Sequence, residues 1–115
     1  MTRLPTINRL AVILLPTQAC LDWIKSCVGD DDNLTLDELR REPTVYLISE
    51  GRVKPETYLR RHFKAMFESE LGSCYTDPTL WPKAISFANF QKFFEIHVTS
   101  MVIDVGKGQI IKEED

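Results

Sequence analysis

The sequence predicts a small α/β or α+β fold, in which a three-stranded sheet, four-stranded if a short last strand forms, packs against about four helices. Two observations predict this class. Short runs of β-branched and aromatic residues alternate with longer stretches whose apolar residues recur every three or four positions. The predicted order is β-α-α-β-α-α-β, and 115 residues suit one globular domain spanning residues 1–115.

The first predicted strand is Leu10–Leu15, which follows an irregular leader at residues 1–8 and is apolar throughout. This composition predicts a strand buried on both faces. The run could also be an export signal ending near Cys20, but such signals need about 7 to 15 apolar residues, and Pro16 interrupts this one. Thr17 is a suitable N-cap for the next helix. We therefore predict a strand, a turn and a helix, and a retained N-terminus in the cytoplasm.

The next two elements are bounded by a cap and a proline. Thr35 and Glu38 match a capping box, which predicts a short helix that Pro43 stops near Glu42. Thr44–Ser49 is rich in β-branched and aromatic residues. It predicts a second central strand.

The longest predicted helix begins with Pro55 at its first position and ends at Gly72. Its apolar residues share one face at helical spacing, which predicts that this face covers the sheet. They are Leu59, Phe63, Met66, Phe67 and Leu71.

The last part of the chain predicts a helix and a strand. Ser86 caps the stretch FANFQKFFEI, whose phenylalanines predict a buried helical face. A third strand is predicted from His97 to Val105. The glycines of GKG then allow a turn into a short fourth strand, and otherwise residues 109–115 form a frayed tail.

Charge and cysteine content exclude several classes of function. The formal net charge is −3, so the chain has no cationic excess for nucleic acid or anionic membranes, and we expect neither as a partner. Three cysteines at unrelated spacings predict reduced, cytosolic thiols rather than a disulfide framework. We predict no cofactor, because the chain has no Gly-rich phosphate loop. We also predict no metal, because zinc ligands are few and the triplet Asp30–Asp32 lacks the glycine and terminal glutamate of a calcium loop.

Cys20 is the one candidate for catalysis. It stands near the start of the first predicted helix, where free amides and the helix dipole lower a thiol pKa. His62 and His97 are the only histidines that could serve as its base. Buried cysteines are common at such positions, so simple packing is the alternative.

The connector from Cys74 to Pro82 is the most unusual segment, because it gathers aromatic and acidic residues around two prolines. Asp77 and Pro78 predict one helical turn. Two interpretations remain open: Trp81 staples helices together, or Tyr75, Asp77 and Trp81 form a binding surface.

Several stretches carry a resemblance to a known family. They are DWI in the first helix, PTVYLI, FESELGSCYTDPTLWP with its TDP-x-LWP motif, and SMVID. Together they resemble a family of small uncharacterised bacterial proteins of similar length, over nearly the whole chain. In that family a tryptophan commonly stands at or beside Cys74, and WF replaces Phe93-Phe94. The resemblance implies a bacterial cytosolic origin, brings no activity or ligand, and weakens a catalytic role for Cys74.

Taken together, the residues favour a non-enzymatic interaction or accessory protein, whose partner is another protein or a second copy of the chain. The polar residues are explained by caps and solvated faces, and no catalytic set converges. Two alternatives stay open. One is a small thiol-dependent enzyme centred on Cys20, and the other is a protein that binds a small ligand between sheet and helices.

Overall fold

The computed structural model describes residues 4–28 and 33–113. It confirms the mixed α/β class and the predicted order of elements. Asp30–Asp32 lie outside the described residues, so the prediction for this triplet is untested. The elements are β1 (Arg9–Pro16), α1 (Gln18–Val28), α2 (Leu36–Leu39), β2 (Thr44–Ser49), α3 (Pro55–Cys74), a 3-10 turn (Pro78–Leu80), α4 (Phe87–Phe93) and β3 (Phe94–Thr99).

The three described strands form one antiparallel sheet in the order β2-β1-β3. Ala11 on the central strand pairs with Leu47 of β2 and with Thr99 of β3, and Ile13 pairs with Val45 and His97. The prediction that β2 is a central strand is therefore wrong. Its apolar composition fits a strand covered on both faces, yet it lies at the edge of the described sheet.

One face of the sheet forms the hydrophobic core with the helices. Val12 and Leu14 of β1 are fully buried there, together with Phe67 of α3 and Phe90 of α4. Four phenylalanine rings pack around this centre, with Phe67 lying 5.5 Å from both Phe90 and Phe93 and 6.1 Å from Phe94, measured between ring centroids. The predicted apolar face of α3 supplies this packing.

The boundary between α4 and β3 differs from the prediction. The helix ends at Phe93 and the strand begins at Phe94, whereas helix was expected through Ile96 and strand from His97 to Val105. Phe94 and Ile96 alternate with Glu95, and they pair with Pro16 and Leu14 of β1. This pairing with a distant strand overrides the helical spacing of the phenylalanines.

The chain after β3 carries no helix or strand within residues 100–113. The predicted fourth strand is therefore absent from the described residues. The Ile7 amide donates to the Val102 carbonyl (2.8 Å), which fixes the start of this segment beside the N-terminal leader. We call residues 103–113 the C-terminal arm. The radius of gyration is 16.3 Å, larger than the roughly 13 Å of a compact 100-residue domain.

Candidate functional site

The face of the sheet opposite the core forms a largely apolar surface that is exposed along its edge strands. We call it the open face and define it by Ala11, Ile13, Val45, Leu47 and His97. Direct pairing across the strands places these side chains on one side of the sheet. On the edge strands, Val45 is 52% exposed, Leu47 is 47% exposed and His97 is exposed, whereas on the central strand Ile13 is half-buried and Ala11 is buried. Two large aliphatic side chains on β2, Val45 and Leu47, are thus held on the sheet and remain about half in solvent.

The sequence predicts burial of these residues but not this surface. Val45 and Leu47 alternate with Tyr46 and Ile48, which face the helices. The sequence feature that indicates this surface is the apolar character of both faces of β2, which is unusual for an edge strand with one side in water. The sequence does not reveal that only one of the two faces is covered within this chain.

A small ionic cluster borders the open face. Glu95 accepts from the Arg40 guanidinium (3.2 Å) and contacts His97 Nε2 (2.9 Å) through the same carboxylate oxygen. These contacts, His97 first and Arg40 second, hold the pKa of Glu95 below its usual value. The cluster therefore gives one end of the apolar surface a polar, hydrogen-bonding rim.

A separate cavity of about 140 Å³ lies between the start of α1, the last part of α3 and the sheet. Cys20 and Cys74 line it, and so do the carboxylates of Glu42 and Glu70. Glu70 accepts hydrogen bonds from the Tyr46 hydroxyl (2.7 Å) and from Thr44 Oγ1 (3.0 Å). Burial, together with the hydrogen bond to Glu70, raises the pKa of Tyr46.

Cys20 does not have the environment of an activated thiol. It is buried, and the loss of solvent raises its pKa to about 12, with smaller contributions from Cys74 and Glu70. A thiolate is the reactive form of cysteine, and this environment disfavours it. Burial thus outweighs the helix start, which was expected to lower the pKa.

The two histidines lie away from Cys20. His62 is exposed on α3 and stacks on Tyr58, with 4.3 Å between ring centroids. His97 is on the open face, on the other side of the sheet from Cys20. Neither lines the cavity. The structure does not bring together the three residues that a thiol-dependent mechanism would need.

The connector is tied to α1 by hydrogen bonds. Trp23 Nε1 donates to the Leu80 carbonyl (2.9 Å), and the Tyr75 hydroxyl donates to the Ile24 carbonyl (2.9 Å). Trp81 is half-buried and its Nε1 donates to the Tyr75 carbonyl (2.8 Å).

Asp77 is exposed and caps the 3-10 turn by accepting from the Thr79 amide (3.0 Å). The Tyr75 hydroxyl is turned towards α1, so Asp77 is the polar group of this trio that faces solvent. A binding role for Tyr75, Asp77 and Trp81 stays a prediction.

Three comparisons with known proteins add no relative. Scans of the chain against protein-family models, curated proteins and solved structures found no match. The resemblance to a bacterial family therefore stays a prediction. In the part of the chain that the structure describes, no group of three or more His, Cys, Asp or Glu side chains could hold a metal ion. No helix there is both long and apolar enough to cross a membrane.

Proposed function

We propose that this protein is a non-enzymatic, cytoplasmic interaction module that binds an extended segment of a protein chain on its open face. One observation carries the proposal. Val45 and Leu47 are about half exposed on a strand whose sequence is apolar on both sides. Covering such a side chain is worth about 1.5 to 3 kcal/mol when burial is complete.

The shape and chemistry of the open face favour an extended protein segment as its ligand. Side chains on a sheet stand in rows, and a segment in β conformation presents alternate side chains that fit between such rows. β2 and β3 are edge strands of the described sheet, and the backbone of an edge strand accepts a further strand. The formal charge of −3 argues against nucleic acid or an anionic membrane as the ligand.

Site-specific photo-crosslinking in the native cells tests the proposal. A photoreactive amino acid is placed at Leu47 on the open face, at Thr76 in the connector, or at Glu68 on the opposite helical layer. All three positions are exposed in this structure. We expect a protein adduct from Leu47, identified by mass spectrometry, and little or none from the two matched positions.

The other outcomes are equally informative. An adduct from Thr76 but not Leu47 would move the binding surface to the connector, as the composition of that segment suggested. Absence of adducts at all three positions would contradict a protein-binding role for these surfaces.

A second candidate function is the binding of a small molecule in the cavity. The observation that favours it is a partly open cavity whose lining combines apolar side chains such as Leu14 and Leu71 with the acidic residues Glu42 and Glu70. Its volume of about 140 Å³ is below the roughly 300–1,000 Å³ of typical ligand pockets. Only a compound of about the size of benzene would fit, which leaves the open face as the stronger site.

A further inference from the structure

The C-terminal arm carries aliphatic side chains that are largely exposed to solvent. Ile103, Val105, Ile110 and Ile111 are 40%, 74%, 69% and 78% exposed. Ile103 and Val105 are two positions apart, so in an extended chain both side chains point to one side. Gly108 adopts a φ of 89°, which favours glycine and bends the arm ahead of Ile110 and Ile111.

Within one chain, the arm leaves the β2 side of the open face exposed. Val45 and Leu47 on the face are about half exposed while the arm is present and its own side chains are in solvent. Each copy of the protein therefore carries both an unpaired apolar segment and an unpaired apolar surface. In a pair of copies, the arm of one can cover the open face of the other.

The arm is long enough to cross the open face. Residues 103–111 span at most about 30 Å, and less with the bend at Gly108, whereas the six residues of β2 span about 20 Å. Covering the exposed fractions of Val45, Leu47 and the aliphatic side chains on one side of the arm, in two reciprocal contacts, buries on the order of 1,000 Å², which is the size of the smaller specific protein interfaces. The exchange also closes on itself under two-fold symmetry, so that it produces a dimer and no filament.

We propose that the protein forms a homodimer in which the arm of each copy packs on the open face of the other. This inference rests on the proposed function, because it names the extended segment that the open face binds. Ile103, Val105 and Ile111 lie on one side of an extended arm and make the contact. Val45 and Leu47 are the side chains of the open face that they cover. Losing one well-buried aliphatic side chain weakens association about tenfold or more.

Molar mass in solution, measured by light scattering over a dilution series, tests the exchange with full-length chains. The arm variant is Val105→Asp with Ile111→Asp, and the face variant is Val45→Asp with Leu47→Asp. The matched control, Lys107→Asp with Gln109→Asp, changes the charge of the arm more but removes no aliphatic side chain. We expect the native protein and the control to be dimers, with twice the 13.3 kDa mass of one chain. Both apolar variants should be monomers, with the mass of a single chain.

Mixing the two apolar variants distinguishes exchange from packing of two faces on each other. The arm variant has an intact face and the face variant an intact arm, so a mixture regains one of the two contacts. We expect the mixture to form a heterodimer at concentrations where each variant alone is a monomer.

Three results would overturn the inference: a monomeric native protein, an arm variant that still dimerises, or a mixture that stays monomeric. An adduct from Leu47 to a different protein would also overturn it while leaving the proposed function intact. Absence of any adduct from Leu47 would contradict the proposed function itself.

Discussion

Replacing Phe67 by alanine is expected to destabilise the protein by about 3 to 5 kcal/mol, a large part of the roughly 5–15 kcal/mol that stabilises a typical domain. Phe67 is fully buried, and its ring contacts those of Phe90, Phe93 and Phe94. The substitution leaves a cavity where α3, α4 and β3 meet. Urea unfolding monitored by tryptophan fluorescence measures the loss.

Phe87→Ala is the matched control, because it removes the same ring from the margin of the same cluster. Phe87 is half-buried and lies under the Arg60 guanidinium, 4.6 Å from the ring centroid. Its loss should cost less than half as much as the loss of Phe67. Equal losses at the two positions would show that the cluster is not centred on Phe67.

Trp81→Ala is expected to cost about 2 to 3 kcal/mol, less than a fully buried ring because Trp81 is half-buried. The change removes the hydrogen bond that Trp81 Nε1 donates to the Tyr75 carbonyl. It also removes the ring that packs beside Gly72, where an added Cβ would lie 3.7 Å from Trp81 Cζ2. The melting temperature should fall by several degrees. Lys83→Ala, two residues further on and exposed, should leave it unchanged.

The Trp81 variant also decides between the two interpretations of the connector. A stapling tryptophan lowers the melting temperature and leaves the crosslink from Leu47 intact at temperatures where the variant is folded. An unchanged melting temperature combined with loss of a partner would instead identify Trp81 as an exposed anchor.

Local chemistry made many elements predictable from sequence. Thr44–Ser49 has the predicted bounds, and Pro55 begins α3 as expected. Ser86 accepts from the Asn89 amide (3.2 Å) and Asp77 caps its turn, because both caps depend on neighbours within three residues. Thr17 begins the turn before α1, and its hydroxyl donates to the distant Lys92 carbonyl, a contact that no local pattern predicts.

The features that sequence did not predict depend on residues far apart in the chain. The order β2-β1-β3 follows from pairings between residues that are thirty or more positions apart. Phe94 satisfies both a helical and a strand pattern, and only its pairing with Pro16 decides between them. The open face was hidden for the same reason, because an apolar strand has the same sequence whether its second face is covered by its own chain or by another.

A peptide titration followed by NMR tests most directly whether the open face binds an extended apolar segment. The protein is the arm variant Val105→Asp with Ile111→Asp, and the peptide is SMVIDVGKGQIIK, residues 100–112, which contains the arm as far as Lys112. A control peptide carries aspartate at the positions of Val105 and Ile111. We predict that the native peptide shifts amide signals of residues 11–15, 45–47 and 95–99, and that the control peptide does not. Shifts centred on residues 75–81 or on the cavity around Cys20, or no shifts with either peptide, would contradict the account.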